Sequence, residues 1–171
     1  MSAMMFKNAL VTSMVEEAIA FCAEKTGAGT REEVLDAILK GDCAACDHLK
    51  YSLAKKVGEC LGSMDETVKA VYIYEPEYGA GVDNILDHNL GLKSGINLVA
   101  WVERKTAALA SVVASLNEAL VEACKRLGAS ENGLRYLLDV QLADDNEVAN
   151  RLGYGALVHS IYVRPTEVWS R

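Results

Sequence analysis

The fold of this chain is decided by four apolar runs in its last hundred residues: KAVYIY (69–74), INLVAWVE (96–103), LRYLLDVQL (134–142) and LVHSIYVR (157–164). The runs at 69–74, 96–103 and 157–164 are rich in β-branched and aromatic residues, and the run at 134–142 is apolar and rich in leucine. Each run predicts a β-strand. Between the second and third runs, apolar residues recur at steps of three and four over about residues 106–127, which predicts one long amphipathic helix. The order predicts a strand–strand–helix–strand–strand unit over residues 67–171.

Residues 1–66 have helical periodicity throughout. The spacing predicts helices over about 4–25, from a capping box at Thr30–Glu33 to about Lys40, and from Asp42 to about Leu61. We therefore expect an α+β fold in which three N-terminal helices precede a four-stranded, mainly antiparallel sheet with the long helix across one face. The helical segment is expected to pack on the sheet unit, so that the chain forms one compact domain overall.

The bulk composition excludes some classes of function. The 171 residues carry a net charge of −7, and an acidic surface repels phosphate backbones, so we expect no nucleic-acid partner. No apolar run approaches the ~20 residues that span a bilayer, so we expect no membrane partner. Five cysteines form an odd, unevenly spaced set, which favours free thiols and a cytoplasmic protein.

Strand side chains alternate, so each predicted strand can be divided into two faces. One face is largely apolar, and its His159 is expected to be a hydrogen-bonded core residue. The other face combines aromatic side chains with arginine and a few polar groups, residue types that are enriched in protein interfaces and suit ligand sites. Its members are Tyr72, Tyr74, Asn97, Trp101, Arg135, Asp139, Tyr162 and Arg164. The N-terminal helices, a partner chain or a small-molecule ligand could each cover this face, and the sequence leaves the three alternatives open.

Cys43-Ala-Ala-Cys46 has the spacing of a redox or metal motif. A thioredoxin-like site follows a strand, however, and this pair follows a helix and a glycine turn. With His48 the two cysteines give at most three zinc ligands, and residues two apart on a helix do not share a face. Cys43, Cys46 and His48 are therefore weak metal candidates, and we predict no cofactor.

The segment between the first two strands is long and acidic. Glu75, Asp87 and His88, together with Glu103 at the end of the second strand, are weak candidates for acid–base catalysis or for binding a divalent metal. We detect no nucleophile with a histidine and an acid at the spacing of a known triad, and no phosphate-binding loop.

These observations favour a small cytoplasmic binding or assembly protein of unknown specificity rather than an enzyme. We expect it to self-associate as a homodimer through the aromatic and polar sheet face, which could also take a small-molecule ligand. The alternative is an enzyme, possibly metal-dependent, with a site between the acidic loop at 75–95 and the same face.

Overall fold

The computed structural model describes residues 3–75, 95–128 and 137–171. The N-terminal segment forms three helices, α1 (Ala3–Thr26), α2 (Arg31–Leu39) and α3 (Cys43–Met64). The predicted capping box is present at the start of α2, where the Thr30 hydroxyl accepts the Glu33 N–H and the Glu33 carboxylate accepts the Thr30 N–H at 3.1 Å. The three predicted N-terminal helices are therefore confirmed.

The rest of the described chain builds a sheet and three more helices. In chain order these are β1 (Val68–Ile73), β2 (Ile96–Val102), α4 (Ala107–Arg126), β3 (Leu138–Asp144), α5 (Asp145–Asn150), α6 (Gly155–Val158) and β4 (Thr166–Ser170). The strand order is β3-β2-β1-β4. β1 is antiparallel to both β2 and β4, whereas β2 and β3 are parallel. The α+β class and the long helix are confirmed, and the sheet is mixed with a majority of antiparallel pairings.

The prediction for the fourth strand was wrong. Residues 157–164 form the end of α6 and a turn, and the strand lies further along the chain at Thr166–Ser170. A second capping box between Asp144 and Glu147 starts a helix immediately after β3, and the Ser160 hydroxyl accepts the N–H groups of Tyr162 and Val163. These local hydrogen bonds compete with a strand, although the side chains alternate as a strand requires.

The third strand was predicted too early in the sequence. β3 begins at Leu138 and ends at Asp144, where the cap of α5 takes over. The first part of the predicted run, up to residue 136, lies outside the described residues.

Chain contacts divide the protein into two compact units. The described part of the first unit comprises residues 3–53, 95, 116–128 and 137, and its core includes Val11, Ile19, Val34 and Leu53. The second unit comprises residues 54–75, 96–115 and 138–171, and contains the whole sheet. The domain organisation expected from the sequence, one compact domain overall, stays a prediction.

Within the second unit, one face of the sheet packs on the C-terminal half of α3. Trp169 of β4 pairs with Val71 of β1, and both side chains lie against Gly58 of α3, where an added β-carbon would be 2.7 Å from Cβ of Trp169. Gly62, one turn later, faces the indole ring of Trp169. The absence of side chains at these two positions lets the helix approach the strands closely.

Candidate functional site

The second face of the sheet carries Tyr72, Tyr74 and Trp101 and is called here the aromatic face. These three side chains are partly buried and pack around a small cluster formed by Val99, Ala143, Val148 and Val158. Val148 belongs to α5 and Val158 to α6, so the segment Asp145–Val158, here the α5–α6 cover, lies on the aromatic face. The sequence indicates a short helix over residues 146–152, close to α5, but not that this segment lies on the sheet, because residues 157–164 were assigned to a strand.

Polar contacts of Asp145 with Lys69 and Trp101, here called the latch, hold the start of the α5–α6 cover in place. The Asp145 carboxylate accepts hydrogen bonds from Nζ of Lys69 at 2.7 Å to both oxygens, and from Nε1 of Trp101 at 2.7 Å. The Lys69 ammonium also lies 5.5 Å from the Trp101 ring centroid. The hydrogen bond from Lys69, followed by that from Trp101, lowers the pKa of Asp145. A second ion pair joins Lys105 to Glu147 of α5 at 2.7 Å.

Two further groups border the aromatic face. His159 is exposed and contacts the edge of the Trp101 ring, with centroids 6.1 Å apart, so its expected place in the core was wrong. Tyr72 forms a side-chain hydrogen bond with Glu167, and burial raises the pKa of the Tyr72 hydroxyl, as does the nearby Glu167 carboxylate.

Of the other residues predicted for this face, the structure brings Asn97 and Asp139 together. Asn97 and Asp139 are register partners across β2 and β3 and are both half-buried. The Asp139 carboxylate accepts a hydrogen bond from Nε2 of Gln141 at 2.6 Å. Tyr162 and Arg164, however, lie in the turn before β4 rather than on a strand, and Arg135 lies outside the described residues.

Two of the four candidate residues of the acidic-loop site lie in the part of the chain that the structure describes. Glu75 and Glu103 are both exposed and lie at opposite ends of the antiparallel β1–β2 pair, since Glu75 follows β1 and the Glu103 N–H donates to the Thr67 carbonyl just before β1. Asp87 and His88 lie outside the described residues. A catalytic or metal site combining these residues with the sheet face therefore stays a prediction.

The CxxC residues occupy different environments. Cys43 is exposed at the start of α3, whereas Cys46 is buried and its thiol donates to the carbonyl of Ile38 at 3.7 Å. Burial raises the pKa of Cys46, and the His48 ring packs against the Phe21 ring with centroids 6.1 Å apart. Among the residues that the structure describes, no three His, Cys, Asp or Glu side chains converge as a metal site would require. None of the five cysteines, all of which lie in the described residues, forms a disulfide.

Four exposed large apolar residues lie in one part of the chain. Ile161 is 74% and Tyr162 is 83% exposed, and Leu152 and Tyr154 nearby in sequence are also exposed. We call the exposed side chains of these four residues, with those of Arg151 and Arg164, the C-terminal surface. The signal for it in the sequence is residue type alone: large apolar residues lie among Gly153, Gly155 and Pro165.

The turn that presents Ile161 and Tyr162 has a defined shape. Its backbone is held by the Ser160 hydroxyl, which accepts the Val163 N–H at 3.1 Å, and by the Ser160 carbonyl, which accepts the Arg164 N–H at 3.1 Å. Nε of Arg164 donates to the carbonyl of Ile161 at 3.3 Å. Arg164 adopts a positive φ of 49°, a conformation that non-glycine residues rarely adopt without local compensation.

One helix of the described chain, α4, is long and apolar enough to cross a membrane by length and composition. Core helices of water-soluble proteins meet the same two criteria, so this property is weak evidence for a membrane span. The chain matches no known family model, no curated protein and no solved structure.

Proposed function

We propose that this protein is a small binding and assembly module that self-associates as a homodimer through its C-terminal surface. The observation that carries the proposal is the exposure of Ile161 and Tyr162 on a hydrogen-bonded turn. Exposed apolar side chains that are grouped together mark interaction sites more often than isolated ones do.

The composition of the C-terminal surface also supports this proposal. Tyrosine and arginine are enriched among the residues that dominate binding energy at protein interfaces. Two tyrosines and two arginines lie within residues 151–164, together with Leu152 and Ile161. A tyrosine side chain has few rotatable bonds, so it loses little conformational entropy when a partner covers it.

The shape of the turn favours binding for a further reason. A flexible loop must be ordered when it binds, and this ordering opposes association. The hydrogen bonds of Ser160 and Arg164 hold the turn before any partner arrives. More of the free energy of apolar burial therefore contributes to affinity.

The aromatic face is the less favoured surface for this role. Tyr72, Tyr74 and Trp101 are partly buried under the α5–α6 cover, so a partner or ligand that used them would first have to displace it. We include a cytoplasmic location in the proposal, since five cysteines without a disulfide are typical of a reducing compartment.

Sedimentation equilibrium of the wild type and of two variants tests the proposal. We expect the wild type to be a dimer and the Ile161→Ser/Tyr162→Ser double variant to be a monomer with an unchanged circular dichroism spectrum. Tyr51→Ser is the matched control, because Tyr51 is a partly exposed aromatic residue, at 41%, on α3. A wild type that stays monomeric at the highest attainable concentration would contradict the proposal, as would a double variant that still dimerises.

A further inference from the structure

Two cysteines lie close together at the start of α3. Cys43 is the first residue of the helix and Cys46 follows three residues later. In a regular helix, residues three apart lie on the same face with Cα atoms about 5 Å apart. A disulfide requires Cα atoms roughly 4.4–6.8 Å apart, so the backbone of α3 places these two residues at a separation that a disulfide can join.

The two thiols differ in their access to solvent. Cys43 is exposed, whereas Cys46 is buried and its Sγ donates to the Ile38 carbonyl at 3.7 Å. Burial raises the pKa of Cys46, the Lys50 ammonium opposes this rise, and the Asp42 carboxylate adds to it. Cys46 therefore stays protonated near neutral pH, and a small solute in water meets Cys43 first.

We propose that Cys43 and Cys46 form a reversible redox site whose substrate is hydrogen peroxide, with Cys43 as the thiol that is oxidised first and Cys46 as the resolving thiol. In the first step Sγ of Cys43 attacks one peroxide oxygen, the O–O bond breaks, and Cys43 becomes a sulfenic acid as one water leaves. In the second step Sγ of Cys46 loses its proton, attacks Sγ of Cys43 and displaces the sulfenic oxygen as a second water. Two electrons pass from the two thiols to the peroxide, and one disulfide remains.

The disulfide would tighten the first turn of α3. Cβ atoms three residues apart in a helix are separated by about 5–6 Å, whereas a disulfide brings them to about 4 Å. This turn is also held by Asp42, whose carboxylate accepts the Ala45 N–H and whose carbonyl accepts the Cys46 N–H, both at 2.9 Å. A strained disulfide is more readily reduced, so this bond suits a switch that cellular thiols reverse rather than a permanent cross-link.

The competing arrangement joins Cys46 to Cys22 of α1. The Cys22 thiol donates to the carbonyl of Ala45, the residue before Cys46, at 3.6 Å. Both thiols of this pair are buried, and burial raises the pKa of Cys22 to about 11. Because peroxide reacts with an accessible thiolate, the exposed Cys43 is favoured over Cys22 as the partner of Cys46.

Peptide mapping of the full chain distinguishes the two arrangements. Trypsin cleaves after Lys40 and Lys50, so residues 41–50 form one peptide that contains both Cys43 and Cys46. After treatment of the reduced protein with an equimolar amount of hydrogen peroxide, we expect this peptide to lose the mass of two hydrogen atoms and to regain it with dithiothreitol. A peptide that stays reduced would overturn the proposal, as would a cross-link from it to the peptide of Cys22 or to a second chain.

Two variants separate the roles of the two thiols. Cys46→Ala keeps a small apolar side chain at the buried position and removes the resolving thiol, so the sulfenic acid of Cys43 should persist and be trapped by dimedone. Cys43→Ser should lose both the disulfide and the dimedone adduct. Cys60→Ala is the matched control, since Cys60 is another buried cysteine of α3, and it should form the disulfide as the wild type does.

The outcomes decide between the proposed roles. A Cys43→Ser variant that still forms a disulfide would overturn the assignment of Cys43, and a folded Cys46→Ala variant that gives no dimedone adduct would overturn the sequence of steps. Circular dichroism shows whether each variant is folded. The wild-type peptide needs no substitution and reports on the disulfide whether the chain is a monomer or a dimer, so its result is independent of the proposed self-association.

Discussion

Gly62 shows how one residue of α3 depends on its neighbour in the sheet. A β-carbon at this position would overlap Cη2 and Cζ2 of Trp169. In an exposed helix, replacing glycine by alanine stabilises by up to about 1 kcal/mol, but overpacking in a core costs about 1–3 kcal/mol. We expect Gly62→Ala to lower the free energy of unfolding by about 1–3 kcal/mol, measured by urea denaturation.

As a control, the effect of Gly62→Ala on the free energy of unfolding is measured again without the Trp169 ring, where its sign should change. In a Trp169→Leu background the indole ring is absent, so Gly62→Ala should become neutral or stabilising through its helix propensity. If Gly62→Ala destabilises both backgrounds equally, the Trp169 contact is not the cause.

The five thiols should differ in reactivity. Cys43 is exposed and the other four are buried, and burial raises the pKa of Cys22 and of Cys124 to about 11. Because the thiolate is the reactive form, we expect one thiol to react rapidly with a maleimide at pH 8 in the native protein. A Cys43→Ser variant should lose this rapid phase, and all five thiols should react in denaturant. A rapid phase that survives in Cys43→Ser would contradict the assignment.

The α5–α6 cover illustrates how a short element is held in place. Helices of six and four residues are too short to be stable alone, so their position depends on Val148, Val158 and the latch at Asp145. Lys69 and Trp101 lower the pKa of Asp145 below its unfolded value of about 3.9. The stabilisation is therefore present above about pH 4 and is lost as the pH falls through the lowered pKa.

We expect Asp145→Asn to lower the free energy of unfolding at pH 7 by no more than about 1 kcal/mol, since the ion pair is largely exposed. The difference between wild type and variant should shrink as the pH falls below about 4. Urea denaturation at a series of pH values measures this difference in the free energy of unfolding. In a Lys69→Met background the substitution should have a smaller effect, and an equal effect in both backgrounds would show that the ion pair does not contribute.

The elements that sequence reasoning predicted well are those with a local physical signature. α4 has an apolar stripe, and α2 has a capping box that the structure reproduces. Strand β4 was placed too early because the alternation over residues 157–164 is that of a strand, whereas the Ser160 turn and the Asp144 cap depend on hydrogen bonds that alternation does not encode.

The candidate surface was predicted only in part for the same reason. Tyr162 and Arg164 were identified by residue type, which favours interfaces, but their place on a turn depends on the backbone. The α5–α6 cover brings Val148 and Val158 onto the aromatic face. This packing joins residues far apart in sequence, and no single local pattern predicts it.

At the scale of the whole molecule, two helices belong to both compact units. The division falls after Leu53 within α3 and after Ser115 within α4. If one unit unfolded alone, each helix would have to end at a position without a cap, leaving backbone groups of the last turn unsatisfied by the helix. We therefore expect both units to unfold in one cooperative transition.

The positions of the two tryptophans make this prediction measurable. Trp101 and Trp169 both lie in the second unit, so their fluorescence reports on that unit, whereas far-ultraviolet circular dichroism reports on the helices of both. The two signals should give the same midpoint and slope in urea, as a two-state transition requires. The Val34→Ala variant, at a buried position of the first unit, should shift both midpoints together, because a core cavity costs about 1–4 kcal/mol of the shared stability. A fluorescence midpoint that stays unchanged while the circular dichroism midpoint falls would show instead that the units unfold separately, with the helices breaking near Leu53 and Ser115.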